Sequence, residues 1–197
     1  MRISRFVQAA LVVAALMFSG VASAGDAKSF MEDRQTKIVS LLQKNATQAD
    51  LSNALATIVD YDALTVASFG EHWTNGDLDD GQKAEVKALL RQLIENNYKK
   101  NLKKILGYKA EFFPATGPDT AKHVKMKATS NANARDKGNI EYILRADGSD
   151  WKIIELITEG SRMTTNYYRQ FHDMLTNKTD KGYKYLVQKL KDSVAKG

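Results

Sequence analysis

The chain has 197 residues and no cysteine. That single absence removes disulfide frameworks, thiolate metal sites and thiol nucleophiles together. Histidine is nearly as scarce: His72, His123 and His172 are scattered and share no metal-ligand spacing. There is no G-x-S-x-G elbow and no glycine-rich phosphate loop. Proline occurs twice, at Pro114 and Pro118, and with Gly117 marks one turn. The apolar run at residues 9–18 is too short for the roughly 20 residues a spanning helix needs, and no later stretch approaches that length. Nor is there a large charge of one sign. The formal net charge is +6 from 29 basic and 23 acidic residues. With no Arg-rich arm or zinc-ligand spacing, that modest excess does not mark a nucleic-acid reader and instead biases the chain toward anionic membrane surfaces or acidic protein partners.

The apolar run sits in a recognisable setting. Arg2 and Arg5 precede it, and Ala22-Ser23-Ala24 supplies small residues at cleavage positions. Residues 1–24 therefore read as a secretory signal peptide, and 25–197 as one soluble, exported domain. A chain of that length can bury an adequate core without disulfides.

The most informative stretch is 151–171, WKIIELITEGSRMTTNYYRQF. Its first half reads as a strand and its second as a helix, with the change at Gly160. Trp151, Ile153 and Ile157 fall on one face of the strand and Ile154 and Leu156 on the other, so both faces require cover. Asp147-Gly148 predicts a hairpin to a strand over 140–146, where Ile140, Tyr142 and Leu144 alternate with polar residues. Earlier strands are expected over 108–113 and 123–129, the second with Val124, Met126 and Ala128 in alternation. Helices are expected over 28–44, 48–59 and 62–69, the last ended by Gly70. A long helix over 82–106 is opened by an Asp79/Gln82 capping box and spans roughly 36 Å. Its stripe includes Leu90, Leu93 and Tyr98, and its far side carries Lys99, Lys100, Lys103 and Lys104. Two more helices run through Tyr167, Phe171 and Met174 and through Tyr185, Leu186 and Leu190. No repeat, low-complexity tract or linker interrupts the chain. Four helices, four antiparallel strands and two helices make an α+β fold with helices packed on a curved four-stranded sheet.

The residues then resemble a known family. Asp60-Tyr61, Leu64, Phe69-Gly70 and Trp73 are similar to the D-[FY]-x-x-[LIM] and [LF]-G-x-x-W patterns of the MlaC family, the toluene-tolerance auxiliary components of ABC transporters. Gln82-Lys83 matches its Q-[RK] pair. Trp151, Ile157, Glu159-Gly160, Met163, Asn166-Tyr167 and Phe171 resemble its strand, E-G turn and N-Y helix, and Gly182, Leu186 and Leu190 its terminal helix. The resemblance implies an NTF2-like fold enclosing an apolar cavity. It implies a periplasmic carrier that is not an enzyme and needs no cofactor. Its cargo would be phospholipid, moved between an outer-membrane lipoprotein complex and an inner-membrane ABC transporter complex. It implies lipid contacts from the sheet and long helix, for which the candidates are Phe69, Trp73, Leu90, Leu93, Tyr98, Tyr142, Ile154, Leu156 and Met163. Each of these could equally fill a solid core. Arg162 is a further candidate, either as a partner for the lipid phosphate or as a surface arginine at the strand end.

NTF2-like cones also host dehydratases and isomerases, so an enzyme acting on a small apolar substrate in the same cavity is the alternative. It would need an acid or histidine projecting inward from a strand. The apolar phases offer none, which leaves Glu155 and Glu159 to be placed.

Overall fold

The computed structural model describes residues 25–176 and 182–196, and for 100–105 the backbone alone. The leader assigned to residues 1–24 and the side chains of Lys100, Lys103 and Lys104 lie outside the described part. Three short helices begin at side-chain caps. Asp26 accepts from the Ser29 amide at 2.8 Å to open α1 (Ala27–Gln43). Thr47 and Asp50 cap each other reciprocally at the start of α2 (Gln48–Ala56). Asp60 accepts from the Ala63 amide at 2.9 Å to open α3 (Tyr61–Phe69). The second helix stops before residue 59, where its periodicity predicts it to end. Residues 58–60 instead leave it and lie parallel to a strand, with Ile153 N donating to Ile58 O and Asp60 N to Ile153 O.

Gly70 ends the third helix at φ 55, and a Cβ there would stand 2.6 Å from the Tyr168 ring. Only glycine allows this close approach. The single-turn α4 (Glu71–Thr74) follows, then α5 (Asp80–Ile105), whose Asp79/Gln82 box closes both ways at 2.8 and 3.1 Å.

The sheet is β1 (Tyr108–Phe112), β2 (Ala121–Ser130), β3 (Lys137–Asp147), β4 (Asp150–Thr158) and β5 (Ser161–Arg162), antiparallel and in sequence order. It has five strands where the sequence predicts four. The fifth arises at Glu159-Gly160, where φ values of 49 and 76 reverse the chain and pair Ile157 with Arg162 and Thr158 with Ser161. Together β5 and residues 58–60 cover the edge of β4 that would otherwise offer unpaired backbone groups. The predicted hairpin forms, with Asp147 opposite Asp150 and Gly148 at φ 63. Helices α6 (Met163–Thr176) and α7 (Tyr183–Ala195) complete the chain.

Strand β4 departs from simple alternation. Ile143 pairs with Glu155 and Leu144 with Ile153, so Ile154 is the extra residue of a β-bulge. The bulge exchanges the two faces midway. Ile153 and Leu156 end up on one side, while Glu155 and Ile157 are buried on the other.

The buried apolar residues form two clusters. One lies between the first two helices and the sheet, and joins Phe30, Ile38, Leu55, Val124, Leu144 and Trp151. Trp151 is also fastened through its indole Nε1, which donates to Gly25 O at 2.7 Å. The other is a helical bundle of α3, α5, α6 and α7, centred on Phe69, Val86, Leu90, Phe171, Leu186 and Leu190. The long helix serves both, its early turns packing in the bundle and Tyr98 reaching the sheet.

Candidate functional site

A cavity lies at the seam between the two clusters. Helix α1 contributes Met31, Arg34, Gln35 and Ile38 to its wall, α2 contributes Leu55, and the segment leaving α2 contributes Ile58 and Val59. Tyr61 and Leu64 come from α3, and Ile94 and Tyr98 from α5. The sheet supplies Tyr142, Ile153 and Leu156, the last two brought together by the bulge, and Met163 closes the set from the start of α6. The cavity volume is about 90 Å³, within about 680 Å³ of non-atom space that includes the open mouth. It is thus a narrow slot, smaller than the ~150 Å³ cavity that admits a benzene ring. A long-chain occupant would need more room than this slot holds.

The walls are almost uncharged. Burial pushes the Tyr98 phenol up to about 12 and drives those of Tyr61 and Tyr142 higher still, so all three stay neutral over the physiological range. Among the described residues of the lining, Arg34 is the ionic one. Its guanidinium stacks 4.9 Å from the Phe30 ring centroid and one terminal nitrogen stands 3.5 Å from Asp150 Oδ2. Its Nε is buried with no hydrogen-bond partner. At the other end Leu156 and Met163 also line a more polar groove with Ser161, Asn166 and Gln170, so the slot borders that groove.

Among the described residues, no acid lines this slot. Glu155 is 3 % exposed and faces away, at the first turn of α6, where it accepts from the Leu156 and Thr164 amides, each at 3.1 Å, and from the Thr164 hydroxyl. Glu159 sits in the exposed turn and accepts from the Asn139 amide at 2.8 Å. A second buried acid, Glu95, escapes a reading by strand phase because it is on the long helix. Its burial would raise the carboxyl, yet hydrogen bonds from Ser52 at 2.7 Å and Arg91 at 2.9 Å hold it below its ordinary value. All three carboxylates are engaged in structure.

The family model for the MlaC protein matches residues 25–192. The chain belongs to the MlaC family. A solved structure of a phospholipid-binding protein from Ralstonia solanacearum, in complex with a phospholipid, is similar to it at a TM-score of 0.73 and 15% identity. The match covers 87% of this chain and 98% of that one. No curated protein matches.

Within this MlaC-family fold the ten candidate residues separate. Tyr98, Tyr142, Leu156 and Met163 line the slot. Ile154 is the bulge residue beside it. Phe69 and Leu90 are fully buried in the bundle, and Trp73 and Leu93 pack against that same cluster. Arg162 is exposed, and its Nε donates to Glu155 Oε2 at 3.2 Å. The slot residues that sequence reasoning missed come mainly from the first three helices: Met31, Arg34, Ile38, Leu55, Ile58, Tyr61 and Leu64. Their helical periodicity was legible, but nothing in it says whether a stripe meets a solid core or the lip of a cavity.

Proposed function

We propose that this MlaC-family protein is a non-enzymatic phospholipid carrier whose slot takes the acyl chains and leaves the headgroup at the rim. The observation that carries this reading is an apolar slot at the seam of two cores, with neutral tyrosines and no carboxylate in its wall. The family membership and the phospholipid bound to the Ralstonia solanacearum protein support it. Residues 1–24 direct the chain to the periplasm. There the protein shuttles lipid between an outer-membrane lipoprotein complex and an inner-membrane ABC transporter complex, and the five-stranded sheet acts as the NTF2-like cone around the cargo.

The energetics favour handover by contact. Two chains of about 15 methylenes, at roughly 0.8 kcal/mol each, give on the order of 20 kcal/mol against escape into water. Transfer between an apolar slot and a bilayer or another apolar slot largely cancels that term. Direction must then come from a partner.

Native mass spectrometry of the purified protein tests the carrier reading. The expected spectrum carries an added phospholipid mass, and a chain without extractable lipid overturns the proposal. Arg34, with its unpaired buried Nε, is the headgroup partner in this scheme. Arg34→Ala should weaken phospholipid retention about tenfold or more, the worth of one charge-assisted hydrogen bond, as read by lipid exchange from labelled vesicles. Unchanged exchange would remove Arg34 from the site.

A further inference from the structure

Two of the three histidines, 100 residues apart in the chain, meet between α4 and α6. His72 Nε2 and His172 Nδ1 are 2.9 Å apart. The Glu71 carboxylate is 3.7 Å from the same His172 nitrogen, and one donor atom from each of the three residues lies within 4.8 Å of the others. His72 is 4 % exposed, and its second nitrogen, Nδ1, contacts Asp77 Oδ2 at 2.5 Å. Asp77 is also held in place, accepting from the Asn75 side chain at 2.9 Å. A carboxylate on Nδ1 fixes the proton there, so the Nε2 lone pair of neutral His72 points at His172.

We propose that Glu71, His72 and His172 form a divalent transition-metal site, with zinc as the ion its donor set fits. Two imidazoles and one carboxylate are a known zinc combination that leaves a fourth position for water. The carboxylate–histidine contact from Asp77 is the outer support such ligands usually have. The two imidazoles need little movement, and the Glu71 carboxylate must swing in from no more than 4.8 Å. At zinc–nitrogen distances near 2.0–2.1 Å, tetrahedral geometry puts two nitrogens about 3.3 Å apart, only slightly wider than the observed separation. His172 would carry its proton on Nε2, freeing Nδ1 to bind. The Glu71 carboxylate is steadied by the Tyr168 hydroxyl, which donates to it at 3.3 Å. Gly70 is what lets Tyr168 come so close.

The site shares no residue with the slot but joins its walls. Glu71 follows the helix that carries Tyr61 and Leu64, and His172 is on the helix that begins at Met163. A bound ion would fasten α4, which directly follows α3, to α6. Its effect should therefore fall on stability and leave lipid identity unchanged.

The test uses untagged protein treated with a chelator and then titrated with Zn²⁺ by calorimetry and with Co²⁺ by visible absorption. One Zn²⁺ per chain is expected, with tetrahedral Co²⁺ bands and a thermal midpoint raised by several degrees. His172→Ala should lose binding at the same concentrations, and Asp77→Asn should bind 10–100-fold more weakly. His123→Ala, whose side chain lies on the sheet, should bind as the wild type does. Circular dichroism of each variant establishes that it is folded, and Glu71→Gln supplies a second ligand change should His172→Ala not fold. No Zn²⁺ binding by the wild type, or binding that both ligand variants retain in full, overturns the proposal and leaves the pair as a histidine–histidine hydrogen bond.

Discussion

Leu156→Asp should give a folded protein that no longer purifies with phospholipid, whereas Leu90→Asp should not fold. The two leucines differ in what surrounds them. Leu90 is 0 % exposed at the centre of the helical bundle. Truncating such a leucine to alanine alone costs about 2–5 kcal/mol, and an unpaired carboxylate adds its desolvation, against a total stability of about 5–15 kcal/mol. Leu156 is half-buried, lines the slot and borders the polar groove with Ser161 and Asn166. A carboxylate there can hydrate, so its cost to folding should be about 1–2 kcal/mol. It would nonetheless sit in the path of an acyl chain. Leu93→Asp should fall between the two, because Leu93 is only half-buried where it packs against the bundle. Circular dichroism beside lipid extraction reads all three. A folded Leu156→Asp protein that retains its lipid would mean that the acyl chains lie elsewhere.

That contrast shows where a sequence stops being informative. The long helix displays one apolar stripe that predicts the helix, and Asp79 with Gln82 predicts its capping box. One stripe nevertheless serves two environments. Val86 and Leu90 are enclosed by α3, α6 and α7, while Ile94 and Tyr98 open onto the slot. Periodicity is a property of one element, whereas a cavity exists only in the relation between elements. Four candidates from the long helix and the segment before it therefore fell in the bundle. The four longer strands, the hairpin at Gly148 and the main helices were legible because each has a local cause: alternation, a turn residue or a cap.

The bulge is the clearest case of information that alternation cannot carry. Counting from Trp151 places Ile153 with Ile157 and Ile154 with Leu156. One unpaired residue at Ile154 instead gives Ile153 and Leu156 a common face. The same irregularity turns Glu155 away from the slot and toward the start of α6. A similar limit hid the histidine pair, since His72 and His172 are brought together only by the packing of α4 against α6. No spacing rule reaches across 100 residues.

Glu155→Ala should lower stability by about 3–5 kcal/mol, the usual cost of taking one partner from a buried polar cluster. For a domain of this size that corresponds to a thermal midpoint roughly 10 °C lower, at about 2–4 °C per kcal/mol. The carboxylate is the acceptor for the Leu156 amide, the Thr164 amide and hydroxyl, and Arg162 Nε. Two of those donors belong to the first turn of α6, where helix amides have no partners of their own and a negative charge also meets the positive end of the helix dipole. Alanine would leave them buried and unpaired. Arg162→Ala should cost only about 1 kcal/mol, because its side chain is 53% exposed and the remaining three donors still satisfy Glu155. Thermal denaturation of the two variants separates the roles. Equal losses would show that the ion pair, and not the helix cap, is the stabilising element. An Arg162→Ala protein of wild-type stability that no longer retains phospholipid would place the guanidinium on the headgroup instead, and would move the phosphate site from the Arg34 rim to the groove beside Met163.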